Sequence, residues 1–337
     1  MNNSSEICSN KIKNRKRMNL SLLIENLTNP ALLFFLLGII SVRLKSDLEI
    51  PPNSSKFISL YLLFSIGFKG GQELAHSVFS PEIIWAILFG IVVSVLIPFY
   101  TFFILKRKLS TENAGAIAAS YGSISAVTFV TAVAFLETLN IEFSGYLVAV
   151  MALMEAPAIV IGFLLIKSYS KEKENTSNFK EVIKHAFTNG SVLLIVGSLL
   201  IGLLASDKQA LGIKPFTTDL FKGFLAIFLL DMGIISGRKL NDFFKSGWFT
   251  LLFAIIIPLV NGSIVAIASQ VITHDIGNRF ILATLAASAS YIAVPAAMKM
   301  AVPKANPGLY LPMALAVTFP INITIGLPIY MTVVKMF

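Results

Sequence analysis

YGSISAVT, residues 121–128, sets a glycine, two serines and a threonine inside an otherwise apolar run from 113 to 136. A helix crossing a bilayer needs about 20 apolar residues, so the run is long enough to span. Small polar residues at its centre are out of place if lipid surrounds it on all sides. A second stretch of the same kind, ASASYIAVP at 287–295, lies inside the run 279–301. Pro295 has no backbone N–H to donate, so that helix must break or kink near it. Non-helical backbone at membrane depth is tolerated only where protein or a water-filled cavity surrounds it. A half-helix N-terminus there presents free N–H groups and partial positive charge. Two such ends meeting at mid-membrane suit a small anion, with serine and threonine hydroxyls adding hydrogen bonds. Small residues also serve tight helix packing, and the match between two stretches favours the binding-site reading.

The rest of the chain supports a membrane setting. Hydrophobic residues make up 55% and charged residues only 13%, which no water-soluble domain of this length could bury. Apolar runs fall near 28–44, 55–75, 82–105, 113–136 and 143–167, then near 187–205, 217–237, 247–273, 279–301 and 307–334. This predicts an all-α polytopic protein of about ten transmembrane helices. It divides into a polar N-terminal tail at 1–26, a five-helix repeat at 27–168, a cytoplasmic linker at 169–186 and a second repeat at 187–337.

The halves echo one another at offsets of 160 to 168 residues. Thr28-Asn29 recurs as Thr188-Asn189, and Gly67 with Gly71 as Gly233 with Gly237. Ile97-Pro98 recurs as Ile257-Pro258, and Ala118-Ala119-Ser120 as Ala286-Ala287-Ser288. Tyr146 with Gly162 recurs as Tyr310 with Gly326. Five spans per copy invert the second copy relative to the first, the usual build of secondary transporters.

The net charge of +9 is explained by lysines and arginines gathered in cytoplasmic loops, so a nucleic-acid partner is not expected. With the N-terminus outside, 16 basic residues fall on the inner side and 5 on the outer loops and C-terminal end, which favours that orientation. The basic tail opposes it. Met18 opens MNLSLLIENLTNP just before the first span, and a translation start there, with 1–17 as an extension, removes the conflict. No small-residue cleavage site follows a short apolar core, so no signal peptide is expected. Cys8 is the single cysteine and His76, His185 and His274 lie far apart, which excludes a cysteine cluster and gives no metal-ligand spacing. No enzyme is expected, because neither paired metal ligands nor a Ser–His–Asp set can be assembled.

Charges inside the apolar runs are costly and usually functional. Glu155 and Asp231 are two such carboxylates. Each is suited to ligating Na⁺, carrying a proton or making structural hydrogen bonds. Lys69 neutralises an anion, pairs with a carboxylate, or snorkels to the inner interface.

With YGSISAVTF (121–129), MEAPA (154–158), ASASYIAVPAAMK (287–299), AVPKANP (301–307) and IGFKGG (66–71), the chain resembles the sodium-dependent bicarbonate transporter family known from cyanobacteria. The resemblance covers nearly the whole chain from about residue 27. It implies a five-plus-five inverted repeat with two broken crossing helices, a core domain moving against a gate domain, and both termini outside a bacterial plasma membrane. It also implies a homotrimer that takes up bicarbonate with Na⁺ as coupling ion and needs no cofactor. Carried over, the bicarbonate and Na⁺ site comprises Ser123, Ser125, Thr128, Ser288, Ser290 and Tyr291. Glu155 stands where the family has an acid. Well-known members have an Asp where this chain has Tyr291, and Ser and Gly where it has Ala293 and Val294. Their Ser-Gly-Ser-Thr is here Ser125-Ala-Val-Thr128. The central loop is shorter than in members regulated by a PII-like signalling protein, which argues against that partner. Rival readings are a same-fold carrier of another small anion and a cation/proton antiporter.

Overall fold

The computed structural model describes residues 28–77, 80–170, 184, 188–244 and 247–337. The tail at 1–26, the start expected at Met18, and most of the linker at 169–186 lie outside these. The described residues are helical with no strand.

In chain order the helices are α1 (Pro30–Arg43), α2 (Pro52–His76), α3 (Pro81–Leu105), α4 (Thr111–Gly122), α5 (Ala126–Thr138) and α6 (Tyr146–Tyr169). The second half holds α7 (Gly190–Leu204), α8 (Asp207–Lys214), α9 (Phe221–Phe244), α10 (Trp248–Ala268), α11 (Ile276–Ala287) and α12 (Ala293–Ala301). The last stretch, α13 (Pro307–Met336), contains π-type turns at Met313–Thr318 and Asn322–Gly326. Helix is present in each of the ten apolar runs. By length and composition six stretches qualify as membrane spans, and α1, α7 and α11 are shorter apolar helices. This is a multi-pass membrane protein. The exposed helix α8 was not expected from the apolar pattern.

The recurring sequence pairs perform matching tasks. Asn29 caps α1 by accepting from Ala31 N at 3.0 Å, and Asn189 caps α7 by accepting from Ser191 N at 2.9 Å. Each cap satisfies an N–H that the first helical turn cannot. At the next level, Ser110 caps α4 and Asp275 caps α11.

Glycines set the closest helix contacts. A methyl group added to Gly233 in α9 would stand 2.1 Å from the Phe35 carbonyl oxygen in α1, and one added to Gly38 would stand 2.2 Å from Leu230 O. In the same way a methyl on Gly71 in α2 would stand 2.1 Å from Leu199 O in α7, and one on Gly202 would stand 2.2 Å from Phe68 O. Only glycine permits backbones this close. So α1 packs on α9 and α2 on α7, each pair joining the two halves of the chain. Two further packed groups are α3 with α4 and α6, and α10 with α11 and α13.

Candidate functional site

The two singular stretches of sequence are the two places where a buried helix stops and restarts. The first break, Ser123–Ser125, separates α4 from α5. The second, residues 288–292, separates α11 from α12. The expected breaks are therefore present, and they touch. Ser125 N donates to Ser288 Oγ at 2.9 Å, and Ser290 N donates to Ser120 O at 2.8 Å. The Ser120 hydroxyl donates back to the Ser290 carbonyl. Backbone groups orphaned by one break thus find partners on the other, as buried polar groups must.

The six residues carried from the motifs are all buried, with Ser123, Thr128 and Ser288 at 1% exposure. Their hydroxyls differ in availability. Ser125 Oγ accepts from Thr128 N at 3.2 Å and so caps α5. Ser288 Oγ accepts from Ser125 N and donates to Leu285 O at 2.8 Å, so it knits the breaks together. Ser290 Oγ accepts only a long 3.4 Å bond from Val294 N. Ser123 Oγ and the Tyr291 hydroxyl are buried with no hydrogen bond within 3.5 Å, although the Ser125 side chain lies close enough to the Tyr291 hydroxyl to interact with it.

Two cavities meet at this crossing. The larger, about 440 Å³, lies between α2 and α9 and has Ser55, Asp231 and Tyr291 in its wall, with exposed Glu49, Lys56 and Arg238 at its mouth. The smaller, about 20 Å³, is lined by Ser125, Glu155, Ser191, Ser290 and Tyr291. Ser191, Tyr291 and Ile292 line both. The smaller space holds about one water-sized guest, too little for a planar oxyanion in this shape of the protein. Glu155 is 4% exposed and has no hydrogen-bond or ion-pair partner among the described residues. Asp231, 3% exposed, accepts a short hydrogen bond from the Ser55 hydroxyl.

Lys69 is not at the crossing. Its ammonium is 3.2 Å from Glu137 Oε1, while Lys222 Nζ is 3.2 Å from Glu137 Oε2. Of the three roles open to Lys69 from sequence, this geometry matches the carboxylate pair. Ser55 and Lys69 are 14 residues apart on α2, about 21 Å along the helix axis. The ion pairs therefore lie toward the end of α2 opposite the large cavity, and Lys69 does not reach toward the Lys56 end.

Sequence reading missed Ser55, Ser191 and Asn322. The first two come from helices adjacent to the breaks only in space, and no motif marks them. Ser120 carried a signal, because its Ala-Ala-Ser context recurs at Ser288. Among the described residues no group of three or more His, Cys, Asp or Glu could hold a metal ion.

No curated protein matches the chain. A family model described as the Na⁺-dependent bicarbonate transporter superfamily matches residues 30–335, from the first described helix to the last turn of α13, and so takes in both breaks and both cavities. This is a family of transporters, not enzymes, and its cargo suits a crossing that offers serine hydroxyls and helix ends to an anion and a buried carboxylate to a cation. With a match that covers nearly all of its length, the chain belongs to the Na⁺-dependent bicarbonate transporter superfamily.

Proposed function

We propose that this protein takes up bicarbonate across the bacterial plasma membrane, driven by Na⁺, by alternating access. The observation that carries the reading is the pair of interlocked helix breaks at the floor of the 440 Å³ cavity, with Glu155 behind them. Bicarbonate would bind between the breaks, using the Ser123, Ser290 and Tyr291 hydroxyls. Glu155 would ligate Na⁺. Each ion then offsets the other's charge in a low-dielectric site, so each strengthens the other's binding by the same factor.

Ten spans in a five-plus-five inverted repeat fit the matched caps, the matched glycine contacts and the matched breaks. In that arrangement α1, α2, α7 and α9 form the gate and the remaining long helices form the core. The basic-loop count favours both termini outside, which opens the large cavity to the cytoplasm. The far side is held by Glu137 at the end of core helix α5, paired with Lys69 and Lys222 on gate helices α2 and α9. A cavity on one side and cross-domain ion pairs on the other suit one state of a rocking cycle. The homotrimer implied by the resemblance belongs to the same proposal.

The test is uptake of labelled bicarbonate into proteoliposomes holding the purified protein, with and without an inward Na⁺ gradient. Uptake is expected to require Na⁺ and to vanish when the gradient is collapsed. Folded, inserted protein that takes up no bicarbonate would overturn the reading and return the choice to another small anion or to cation/proton exchange.

A further inference from the structure

A helix that stops inside the membrane leaves its last carbonyls without intrahelical partners. At the end of α11 one of these is the Ala287 carbonyl, 1% exposed as a residue and directly before Ser288. Its partner comes from the far end of the chain. Asn322 Nδ2 donates to Ala287 O at 2.7 Å, and Asn322 Oδ1 accepts from the Tyr330 hydroxyl at 2.7 Å. Tyr330 also lies 3.2 Å from the Pro258 carbonyl oxygen in α10.

Asn322 is fully buried, and it opens the second π-type turn of α13. Such turns insert an extra residue into a helix and often mark functional positions. Here the turn faces Asn322 toward the break. The surroundings leave the pair no slack. A methyl on Gly326 would lie 2.8 Å from Asn322 Oδ1, and one on Gly262 would lie 2.4 Å from the Tyr330 ring and 2.9 Å from the Ala287 side chain. The bonds run on in a line, with Ala287 leading into Ser288, whose hydroxyl receives Ser125 N from the other break, and Ser125 capping α5. An amide is required at 322, because it must donate to a carbonyl and accept from a hydroxyl at once.

We infer that Asn322, oriented by Tyr330, is a positioning residue for transport, fixing the end of α11 and through Ser288 the geometry at which the two breaks meet. This rests on the proposal that the anion binds between the breaks. It adds a residue from α13 that touches neither the cavities nor the substrate.

The test is a set of three variants, Asn322→Leu, Tyr330→Phe and both together, assayed for Na⁺-driven bicarbonate uptake per folded protein. Asn322→Leu should raise the apparent KM for bicarbonate about ten-fold, the usual scale for orphaning a buried carbonyl, with maximal rate held within about two-fold. Tyr330→Phe should raise KM about two- to three-fold, and the double variant should match Asn322→Leu alone, because the two act through one line of bonds. A purely structural role lowers the yield of folded protein and leaves KM unchanged, and that result would overturn the inference. So would a Tyr330→Phe effect that multiplies in full on top of Asn322→Leu. If Asn322→Leu does not fold, Tyr330→Phe alone decides: a wild-type KM rejects the role. A wild-type protein that carries no bicarbonate fails the parent reading before any variant is made, whereas a competent wild type with silent variants fails this inference alone.

Discussion

The two helix breaks occupy matched places in the chain, yet they spend their polar groups differently. At the first, the Ser125 hydroxyl is used by the protein itself to cap α5, and every residue from Ser123 to Ser125 is buried to 4% exposure or less. At the second, no side chain caps α12 at Ile292, the Tyr291 hydroxyl makes no close hydrogen bond, and Ile292 is 43% exposed and lines both cavities. Each break keeps one buried hydroxyl without a close hydrogen bond, Ser123 Oγ in the first and Tyr291 in the second, but only the first caps the helix that follows it. In the proposed two-ion site that division has a use. Under the proposed alternating access, one half would supply a fixed frame and the other the groups whose surroundings change as the site opens and closes.

The strongest way to break this comparison is Ser125→Leu, which removes the cap and fills a space of about 20 Å³. Bicarbonate uptake should disappear while the protein remains extractable and elutes as the wild type does in size-exclusion chromatography. A folded Leu variant with wild-type affinity would move the site elsewhere. Gly122→Ala probes the same frame by packing, since the added methyl would stand 2.1 Å from Pro98 Cγ. It should lower thermal stability by about 1–3 kcal/mol, as overpacking does, and no shift in the melting curve would show that the first break yields. Glu137→Gln tests the far end of α5, the helix that the first break begins. In a Cys8→Ser background, the reporter is Ser65→Cys, at a buried α2 residue that lines a small cavity with Lys69 and Glu137. Its thiol labelling should accelerate about two- to five-fold, the modest scale of half-exposed ion pairs. Unchanged labelling would mean that the two lysines do not hold that side shut. Tyr291→Phe should have the smallest effect on stability. Deleting a buried hydroxyl that makes no close hydrogen bond is neutral or stabilising within about 1 kcal/mol, so a larger loss in a melting experiment would show that its contact with Ser125 is a working hydrogen bond.

Much of the architecture was readable from apolar runs, because bilayer thickness fixes how long such runs must be. The breaks were readable for a related reason, since serine, glycine and proline clustered at that depth contradict a plain lipid-facing helix. What stayed hidden was pairing in space. Gly71 and Gly233 stood out through their recurrence, but their partners Gly202 and Gly38 carry no motif of their own. Asn322 is one polar residue in an apolar stretch. Its importance depends on which carbonyl lies across from it, and only the packing of α13 on α11 decides that. Lys69 was placed among the coupling candidates because charge at depth is rare. The structure pairs it with Glu137, one of the acids near the ends of the helices, where no sequence rule links the two.

The glycine contacts also bear on how the chain is made. α1 and α2 emerge early from the ribosome, but the surfaces they pack against, on α9 and α7, belong to the second half. Until that half is inserted, the Gly38 and Gly71 faces lack the partners they have in the finished fold. Neither half completes these contacts by itself, so a half-built intermediate must persist until the second half is inserted. A chain cut in the central linker should still assemble if both pieces are synthesised together, and each piece made alone should be degraded.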